Sequence, residues 1–293
     1  MKIVVMGPGA WGQALANVAS KAGHDVVLWS RASVTVEKSD AVIIAVPAQA
    51  VRQILKAINA PIIISAAKGI ERETGLTMAE VVHVAFPTHE FYALSGPSFA
   101  ADVLAGLPTA ITLAGHDLNT TTKLAAALSL PTFRIYASDD VIGVELGGAL
   151  KNVLAIACGV ADGRSLGESA RASLITRGFA ELTRFARSRG AKPETLMGLS
   201  GLGDLLLTCS SPKSRNYSFG FALGKGLSTE QALANSSGVV EGAFTARIAA
   251  KLASLHKVDM PIVSAVNSII DGTSNPEQEI TKLLARPVGA ENK

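Results

Sequence analysis

A lysine and an asparagine, Lys151 and Asn152, interrupt a run of small and apolar residues over positions 145–157. Burying a lysine is costly unless it is paired or functional, so Lys151 is a candidate general acid or base. The alternative is a surface lysine whose stem packs on the helix. Gly147 and Gly148 each cost a helix about 1 kcal/mol against alanine, so we expect a flat group to lie against them.

A second polar segment contains Asp204 and Thr208, four positions apart. In a helix this spacing places both side chains on one face, where the aspartate can neutralise and orient Lys151. Alternatively, the aspartate is a helix cap. Shortly afterwards comes Arg215, within the serine-arginine-asparagine run over 214–216, which can hold a phosphate through two parallel hydrogen bonds.

Two further segments place polar groups directly after predicted strands. Lys68 follows one of them, and ligands of open α/β sheets bind at the carboxyl ends of strands. Lys68 is therefore a candidate for holding an anionic or carbonyl group, with a solvated loop lysine as the alternative. In the second segment, residues 95–101, we expect Ser98 to cap the next helix. The same position also directs a hydroxyl and backbone N–H groups towards the cleft.

The chain begins with an apolar strand over residues 3–6 that leads into a glycine turn. Gly7, Gly9 and Gly12 have the G-x-G-x-x-G spacing, and a helix continues over 13–21. The expected roles are a tight turn, close approach of the backbone to a diphosphate, and helix–strand packing, in that order. The pattern predicts a dinucleotide bound at the helix N-terminus, against the alternative of a glycine turn without a ligand.

The second strand, at 25–29, ends in Ser30 and Arg31. A site for NAD usually has a carboxylate here, to bind the ribose 2′-hydroxyl. An arginine can instead bind a phosphate, so the pattern favours NADP(H) over NAD(H) as the cofactor. A solvated arginine is the alternative.

The elements that position these residues change in character near residue 140. Before it, short apolar runs alternate with helical stretches, which predicts a mainly parallel sheet with helices on both faces. The predicted strands continue at 41–46, 61–65, 92–95, 110–114 and 132–136, and the predicted helices lie at 49–58, 76–85, 98–105 and 118–128. The segment between the second and third strands is too short for a crossover helix. We therefore predict a trimmed sheet edge, one βα unit short.

After residue 140 the pattern is all-helical. The predicted helices are 141–161, 169–189, 214–224, 238–256, 261–271 and 276–284. We therefore divide the chain into a dinucleotide-binding domain over 1–139 and an all-helical substrate domain over 140–293, with the ligand cleft between them.

Composition supports a compact globular protein, since 48% of the 293 residues are hydrophobic and 17% are charged. A net charge of +3 argues against a nucleic-acid surface.

Two cysteines without a C-x-x-C pair fit the reducing cytoplasm, and the five histidines show no metal-ligand spacing, so no metal is expected. Met1 leads directly into the first strand, which predicts no signal peptide, and apolar stretches such as 41–46 are too short to span a membrane.

Together these motifs resemble the bacterial NAD(P)-dependent glycerol-3-phosphate dehydrogenases. The resemblance covers nearly the whole chain, and its lysine and aspartate motifs are more specific than the glycine fingerprint. The segments that carry it are 7–16 (GPGAWGQALA), 65–71 (SAAKGIE), 94–100 (LSGPSFA), 145–153 (ELGGALKNV), 201–209 (GLGDLLLTC), 214–216 (SRN) and 239–242 (VVEG).

The resemblance implies a Rossmann-like N-terminal domain and a C-terminal domain of the 6-phosphogluconate-dehydrogenase-like type. It implies reversible reduction of dihydroxyacetone phosphate to sn-glycerol 3-phosphate for phospholipid synthesis, with Lys151 as acid/base supported by Asp204, Thr208 and Asn152. The substrate-binding positions implied are Lys68, Gly96, Ser98, Lys151, Asp204, Ser214, Arg215 and Asn216. The cofactor-binding positions are Gly7, Gly9, Ala10, Trp11, Gly12, Ser30, Arg31, Lys68, Ala100, Arg215, Val239 and Glu241. NADP is the preferred cofactor and NAD the second.

The segment after Arg31 departs from the family, which has an extra helix and strand there. Two other functions stay open at this point: a related two-domain hydroxyacid dehydrogenase, and a non-catalytic NADP(H)-binding redox sensor. The expected partner is a small phosphorylated molecule, without nucleic acid or a membrane span, and a homodimer stays open.

Overall fold

A computed structural model of the chain describes residues 1–30 and 38–290. Its N-terminal part contains one seven-stranded sheet with the spatial order β2-β1-β3-β4-β5-β6-β7. The strands are β1 (Lys2–Met6), β2 (Asp25–Trp29), β3 (Ala41–Ile44), β4 (Ile62–Ser65), β5 (Glu90–Ser95), β6 (Thr109–Gly115) and β7 (Phe133–Ser138). All neighbouring strands are parallel except β5 and β6, which are antiparallel. The prediction of a mainly parallel sheet is confirmed with this one exception.

β2 is the outer strand at one edge of the sheet in the part of the chain that the structure describes. It pairs in parallel with β1, with Trp29 opposite Met6, and β3 pairs with the other side of β1. β2 and β3 therefore lie on opposite sides of β1, and residues 31–37 between them lie outside the described residues. The carboxyl ends of β1, β3, β4 and β5 meet at the same edge of the sheet.

Helices cover both faces of the sheet, as predicted. They are α1 (Ala10–Lys21), α2 (Val51–Ile54), α3 (Met78–Ala85), α4 (Ala100–Leu104) and α5 (Leu118–Leu128). Alternate strand residues belong to different apolar clusters: Ile3 is in the cluster that contains residues of α1, α4 and α5, and Val4 is in the one that contains residues of α2 and α3. This separation follows from the two-residue period of a strand.

The helix predicted over 49–58 is wrong in its extent. The structure has the single turn α2 between two 3₁₀ turns, Ala48–Ala50 and Leu55–Ala57. Val51, Ile54 and Leu55 are buried on the sheet. The backbone is wound more tightly at both ends than in an α-helix. The segment nevertheless buries the apolar residues that produced the helical pattern.

The rest of the described chain is helical. Its helices are α6 (Val141–Gly163), α7 (Glu168–Ser188), α8 (Pro193–Leu196), α9 (Asp204–Cys209), α10 (Arg215–Gly224), α11 (Thr229–Ala234), α12 (Glu241–Leu255), α13 (Pro261–Ile270) and α14 (Pro276–Leu284), and a π-helical turn occupies Leu199–Gly203. The predicted helices did not include α8, α9, α11 or the π-helical turn, and α9 was considered only through the spacing of Asp204 and Thr208. The signal for α11 was present, because Ser228 and Gln231 form a capping box before it.

α6 is the central helix of this part. By length and composition it could cross a membrane, but 94% of its most apolar window is buried inside the protein. Asp140 caps its first turn through the amide of Gly143 at 2.9 Å, and the same carboxylate accepts from the amide of Lys192 at 2.8 Å. α6 is therefore a buried core helix, held at its N-terminus by a shared carboxylate.

The two glycines before Lys151 lie against protein groups. A Cβ on Gly147 would be 2.8 Å from the carbonyl oxygen of Ser200, and one on Gly148 would be 2.6 Å from Oγ of Ser95. The expectation that a flat group lies against them is thus corrected. These glycines allow the π-helical turn and the end of β5 to approach α6, which brings the sheet close to Lys151.

Candidate active site

A buried carboxylate joins two lysines from different parts of the fold. Asp204 is the first residue of α9 and is 1% exposed. Its Oδ1 accepts a hydrogen bond from Nζ of Lys151 on α6, and its Oδ2 accepts one from Nζ of Lys68 at 2.8 Å. Lys68 follows β4, so this ion pair links the sheet to the helical part. Asp204 therefore orients both candidate lysines, whereas the sequence indicated its pairing with Lys151 alone.

Thr208 shares a helix face with Asp204, as the four-residue spacing predicted, and it provides the second acceptor for Lys151, as the resemblance implied. Its Oγ1 accepts from Nζ of Lys151 at 2.9 Å and donates to the carbonyl oxygen of Asp204 at 2.6 Å. The π-helical turn before α9 packs tightly, since a Cβ on Gly201 would lie 1.9 Å from the carbonyl oxygen of Leu196. The same turn lies against α6, where a Cβ on Gly147 would be 3.2 Å from Cα of Gly201, so α9 begins beside the helix that carries Lys151.

Burial lowers the pKa of Lys151 to about 8, an effect that the charge of Lys68 strengthens and the carboxylate of Asp204 opposes. The value is below the ordinary lysine pKa and still above neutral pH. Lys151 is therefore mostly an ammonium group at pH 7, yet it can release its proton within the range in which enzymes work.

The turn after β5 faces Lys68. Gly96 has φ +154, and a Cβ there would lie 2.7 Å from Cα of Ile111 on β6. The carbonyl oxygen of Gly96 accepts from Nζ of Lys68 at 3.0 Å and from Oγ of Ser98 at 3.1 Å. Ser98 does not cap α4: Phe99 occupies the N-cap position without a side-chain hydrogen bond, and the serine hydroxyl turns back to Gly96.

The glycine turn after β1 has the geometry that its spacing predicts. Gly7 has φ +129, and a Cβ on it would lie 2.6 Å from the carbonyl oxygen of Ala45. A Cβ on Gly12 would lie 1.8 Å from the carbonyl oxygen of Gly7, so helix and turn pack without a side chain between them. A Cβ on Gly9 would meet nothing within 4 Å, and α1 starts after it without a side-chain cap. The residues fit a dinucleotide diphosphate on the first amides of α1.

A glutamate from α12 contacts the 3₁₀ turn that follows β3. Oε1 of Glu241 accepts from the amide of Ala48 at 3.1 Å, and its Oε2 is buried without a hydrogen-bond partner among the described residues. Burial raises the pKa of Glu241 to about 7, against the opposing effects of the Ala48 amide and the charge of Arg215. Arg215 is exposed and lies over Gly238, where a Cβ would be 2.7 Å from its Nη1.

The remaining predicted residues fall around these groups. Ser214 caps α10 through the amide of Tyr217 at 3.3 Å. Ala100 is the first residue of α4 and packs against the apolar cluster that contains the buried residues of α1. Val239 is 39% exposed. Ser30 is half-buried at the end of β2. Arg31 lies outside the described residues.

Hydrogen bonds connect most of the predicted substrate-side residues into one cluster. Its members are Lys68, Gly96, Ser98, Lys151, Asn152, Asp204, Thr208 and Asn216. A surface groove of about 660 Å³ between α5 and β7 is lined by other residues, such as Leu118, Arg134 and Tyr136. We define the site by its hydrogen-bonded cluster, since no predicted site residue lines that groove.

Sequence reasoning missed the contacts that cross between the two parts of the chain. Besides Lys68 with Asp204, Glu145 on α6 accepts from the amide of Ala79 at the start of α3 at 2.8 Å. Burial raises the pKa of Glu145 to about 7. The signal was a glutamate in an apolar helical run, which by itself does not name a partner. Over residues 1–30 and 38–290, no group of three His, Cys, Asp or Glu side chains is arranged to hold a metal ion, and both cysteines are free and buried.

A Rossmann-like sheet with its glycine turn, joined to a helical part through a buried lysine–aspartate centre, defines a two-domain nicotinamide-dependent dehydrogenase, an oxidoreductase. Matches to models of known protein families identify the family within this class. The model of the NAD-dependent glycerol-3-phosphate dehydrogenase C-terminus matches residues 140–281, and that of the N-terminus matches residues 2–38 and 32–121. The chain belongs to the NAD-dependent glycerol-3-phosphate dehydrogenase family.

Individual relatives agree. The chain is 47% identical to a glycerol-3-phosphate dehydrogenase [NAD(P)+] of Brucella ovis, with 99% of both chains covered. It is 45% identical to the protein of the same name from Parvibaculum lavamentivorans, with 99% and 98% covered. The crystal structure of glycerol-3-phosphate dehydrogenase from Coxiella burnetii superimposes with a TM-score of 0.90 at 35% identity, covering 97% of this chain and 99% of that one.

The same comparisons bear on the short segment after Arg31. The alignment with the Brucella ovis protein spans 328 positions, more than the 293 residues of this chain, so it includes positions where only the relative has a residue. The N-terminal family model matches in two pieces that meet at residues 32–38. The sequence predicted a departure from the family at this same segment.

Proposed function

We propose that this protein catalyses the reversible reduction of dihydroxyacetone phosphate to sn-glycerol 3-phosphate with NADPH or NADH, NADPH being preferred. The observation that carries the proposal is the Asp204 carboxylate, which binds Lys151 and Lys68 at the junction of the sheet and the helical part. Family membership and the names of the relatives support the choice of substrate. The product is the backbone of glycerophospholipids, so we assign the reaction to lipid supply in the cytoplasm.

Lys151 is the proposed acid/base. As an ammonium group it donates a proton to the oxygen of the substrate carbonyl during reduction, and as an amine it accepts the alcohol proton in the reverse direction. The ammonium group of Lys151 has three protons. Asp204 and Thr208 each accept a hydrogen bond from one of them, so the third is free for the substrate. Asn152, the next residue on α6, supports the same cluster through Lys68.

Positively charged groups and a turn are proposed to hold the phosphorylated substrate. Lys68 and Arg215 supply the charge, and Arg215 can bind a phosphate through two parallel hydrogen bonds. The turn at Gly96 and Ser98 faces Lys68. Ser214 and Asn216 flank Arg215 at the start of α10. An anchored phosphate away from the reacting carbon contributes orientation, which raises the rate of the chemical step.

The dinucleotide is proposed to bind along the glycine turn, with its diphosphate on the amides that follow Gly9. Ala10, Trp11 and Ala100 line this end, and Val239, Glu241 and Arg215 line the other. When bound, the reduced nicotinamide supplies the hydride that reaches the carbonyl carbon. Ser30 and Arg31 are proposed to bind the adenosine ribose and its 2′-phosphate. We place the boundary between the dinucleotide domain and the substrate domain at residues 139 and 140.

A direct assay tests the proposal. Purified protein is mixed with dihydroxyacetone phosphate and either NADPH or NADH, and the loss of reduced-nicotinamide absorbance is followed. We expect turnover with both and faster turnover with NADPH. Binding of NADPH without turnover would favour a non-catalytic sensor instead. Turnover with a hydroxyacid or its keto form, but not with the phosphorylated ketone, would favour a different dehydrogenase.

A further inference from the structure

Two buried asparagines form a chain of hydrogen bonds beside the lysine–aspartate centre. The amide of Gly242, in the first turn of α12, donates to Oδ1 of Asn216 at 2.9 Å. Nδ2 of Asn216 donates to Oδ1 of Asn152 at 3.0 Å, and Nδ2 of Asn152 reaches the carbonyl oxygen of Lys68 at 3.5 Å. All steps of this chain run in one direction, from α12 through α10 and α6 to the loop after β4.

The direction of the chain fixes both side-chain amides. Gly242 supplies only a donor, so Asn216 must present its oxygen there and its nitrogen to Asn152. Asn152 then presents its own nitrogen to Lys68. The contact to Lys68, at 3.5 Å, is too long to orient Asn152 by itself, and it forms only while Asn152 presents its nitrogen to Lys68. The shorter contact from Asn216 therefore decides which way Asn152 points.

The surroundings of the two asparagines are closely packed. Asn152 and Asn216 are 6% and 9% exposed. A Cβ on Gly242 would lie 2.6 Å from the carbonyl oxygen of Asn152 and 2.8 Å from Oδ1 of Asn216. The absence of a side chain at Gly242 thus lets α12 approach closely enough to donate its amide.

This chain of hydrogen bonds is one of two links between α12 and the sheet side of the fold. Glu241, beside Gly242, accepts from the amide of Ala48. At the other end, Asn152 touches the main chain of Lys68, whose ammonium group binds Asp204 and the carbonyl of Gly96. The first turn of α12 is therefore tied to the sheet side at two separate places, once by Glu241 and once through the asparagines.

We propose that Asn216 is a positioning residue that acts through Asn152 to hold the main chain at Lys68 against the helical part of the fold. This role is separate from any contact of Asn216 with substrate. It keeps Lys68 and Lys151 on opposite oxygens of Asp204 before ligands bind. The kinetic part of the test rests on the proposed function, and the structural part does not.

The first measurement is hydrogen exchange by mass spectrometry on the ligand-free protein. In Asn216→Ala we expect faster exchange in peptides covering 66–70 and the first turn of α12. In Asn216→Asp the carboxylate still accepts from Gly242 but cannot donate to Asn152, so exchange rises at 66–70 alone. Asn152→Ala gives the same pattern as Asn216→Asp. Asn235→Ala, an exposed asparagine after α11, is the matched control and changes neither peptide.

The second measurement is the steady-state rate of ketone reduction in the single variants and in the double variant Asn152→Ala/Asn216→Ala. Misplacing Lys68 is expected to lower kcat/KM by about 10- to 100-fold in each single variant. Because both residues act through one chain, the double variant should be no worse than the worse single variant. This non-additivity is not expected if Asn216 contributes only its own contact with the substrate.

The two measurements separate the possible failures. Unchanged exchange at 66–70 in both Asn216 variants overturns the inference, and so does a double-variant loss equal to the product of the single losses. If the unaltered protein does not reduce dihydroxyacetone phosphate, the proposed function fails, and the exchange data still decide whether Asn216 positions Lys68.

Discussion

Lys68 and Lys151 bind opposite oxygens of one buried carboxylate, that of Asp204. Two ammonium groups therefore share a single negative charge, and the centre keeps a net positive charge. Such a centre favours an oxygen that becomes negative during reduction and also a phosphorylated ligand. The charge of Lys68 also helps to lower the pKa of Lys151. The pairing thus sets the position of the proposed acid, while burial is the main cause of its lowered pKa.

The first prediction concerns the proton donor. Lys151→Met keeps an unbranched apolar stem of similar length and removes the ammonium group. We expect kcat for ketone reduction to fall by about 10²- to 10⁴-fold, while the Kd for NADPH, measured by fluorescence titration, stays within about twofold. Lys251→Met, at an exposed position on α12, is the control and should leave both values unchanged. Unaltered turnover in Lys151→Met would remove Lys151 from the mechanism.

The second prediction is a pH dependence that follows from the same residue. Burial places the pKa of Lys151 at about 8, so its ammonium form is lost as the pH rises through this value. The rate of reduction should fall above about pH 8, and the rate of alcohol oxidation should rise over the same range. The measurement is kcat against pH in both directions. A reduction rate that stays level up to about pH 10 would mean that another group supplies the proton.

The sequence predicted the local elements well because their signals are local. β2 and α5 have the predicted bounds, since an apolar strand or a capped amphipathic helix depends on neighbouring residues. The glycine turn behaves similarly, because Gly7 and Gly12 meet each other across only a few residues. The four-residue spacing of Asp204 and Thr208 also gave the correct shared face.

Relations between distant segments were not predictable in the same way. Lys68 and Asp204 are 136 positions apart, and nothing near either residue names the other. The antiparallel pairing of β5 with β6 depends on the path of the connection around α4, which an apolar strand pattern does not record. The two glycines before Lys151 were assigned to a ligand for the same reason, because the neighbours that need their space, Ser200 and Ser95, come from other elements.

The third prediction concerns stability against pH. Glu181 on α7 accepts from the amides of Ile262 and Val263, and burial raises its pKa to about 7. Between its ordinary pKa and 7, the folded protein holds a proton that the unfolded chain has released. The contribution of Glu181 to stability is therefore largest at low pH and declines as the pH rises through this window.

Glu181→Gln tests this, because the amide oxygen still accepts from α13 without a charge. The fall in Tm between about pH 5 and about pH 8 should be smaller in the variant than in the unaltered protein. Glu168→Gln, an exposed change at the start of the same helix, is the control. An unchanged slope in Glu181→Gln would mean that Glu181 does not hold the additional proton.

The fourth prediction concerns the choice of cofactor and rests on the sequence alone, since Arg31 lies outside the described residues. Arg31→Asp removes the group proposed to bind the 2′-phosphate and supplies a carboxylate suited to a ribose 2′-hydroxyl. The ratio of kcat/KM for NADPH to that for NADH should fall by about tenfold or more. Arg134→Asp, on β7 at the opposite edge of the sheet, controls for the change in net charge. An unchanged ratio would place the discrimination elsewhere in the site.

The fifth prediction separates two glycines of the same turn. Gly9→Ala adds a Cβ where nothing lies within 4 Å, so the fold and the Tm should be unchanged. The same methyl group would occupy the approach of the dinucleotide diphosphate, and the Kd for NADPH should rise by about tenfold or more.

Gly12→Ala should behave in the opposite way. Its Cβ would lie 1.8 Å from the carbonyl oxygen of Gly7, so α1 must move away from the turn. We expect a loss of stability of about 1–3 kcal/mol, measured by denaturant unfolding. If Gly9→Ala kept full affinity for NADPH, the diphosphate would have to bind away from this turn. If Gly12→Ala were as stable as the unaltered protein, the close contact with Gly7 would not hold α1 in place.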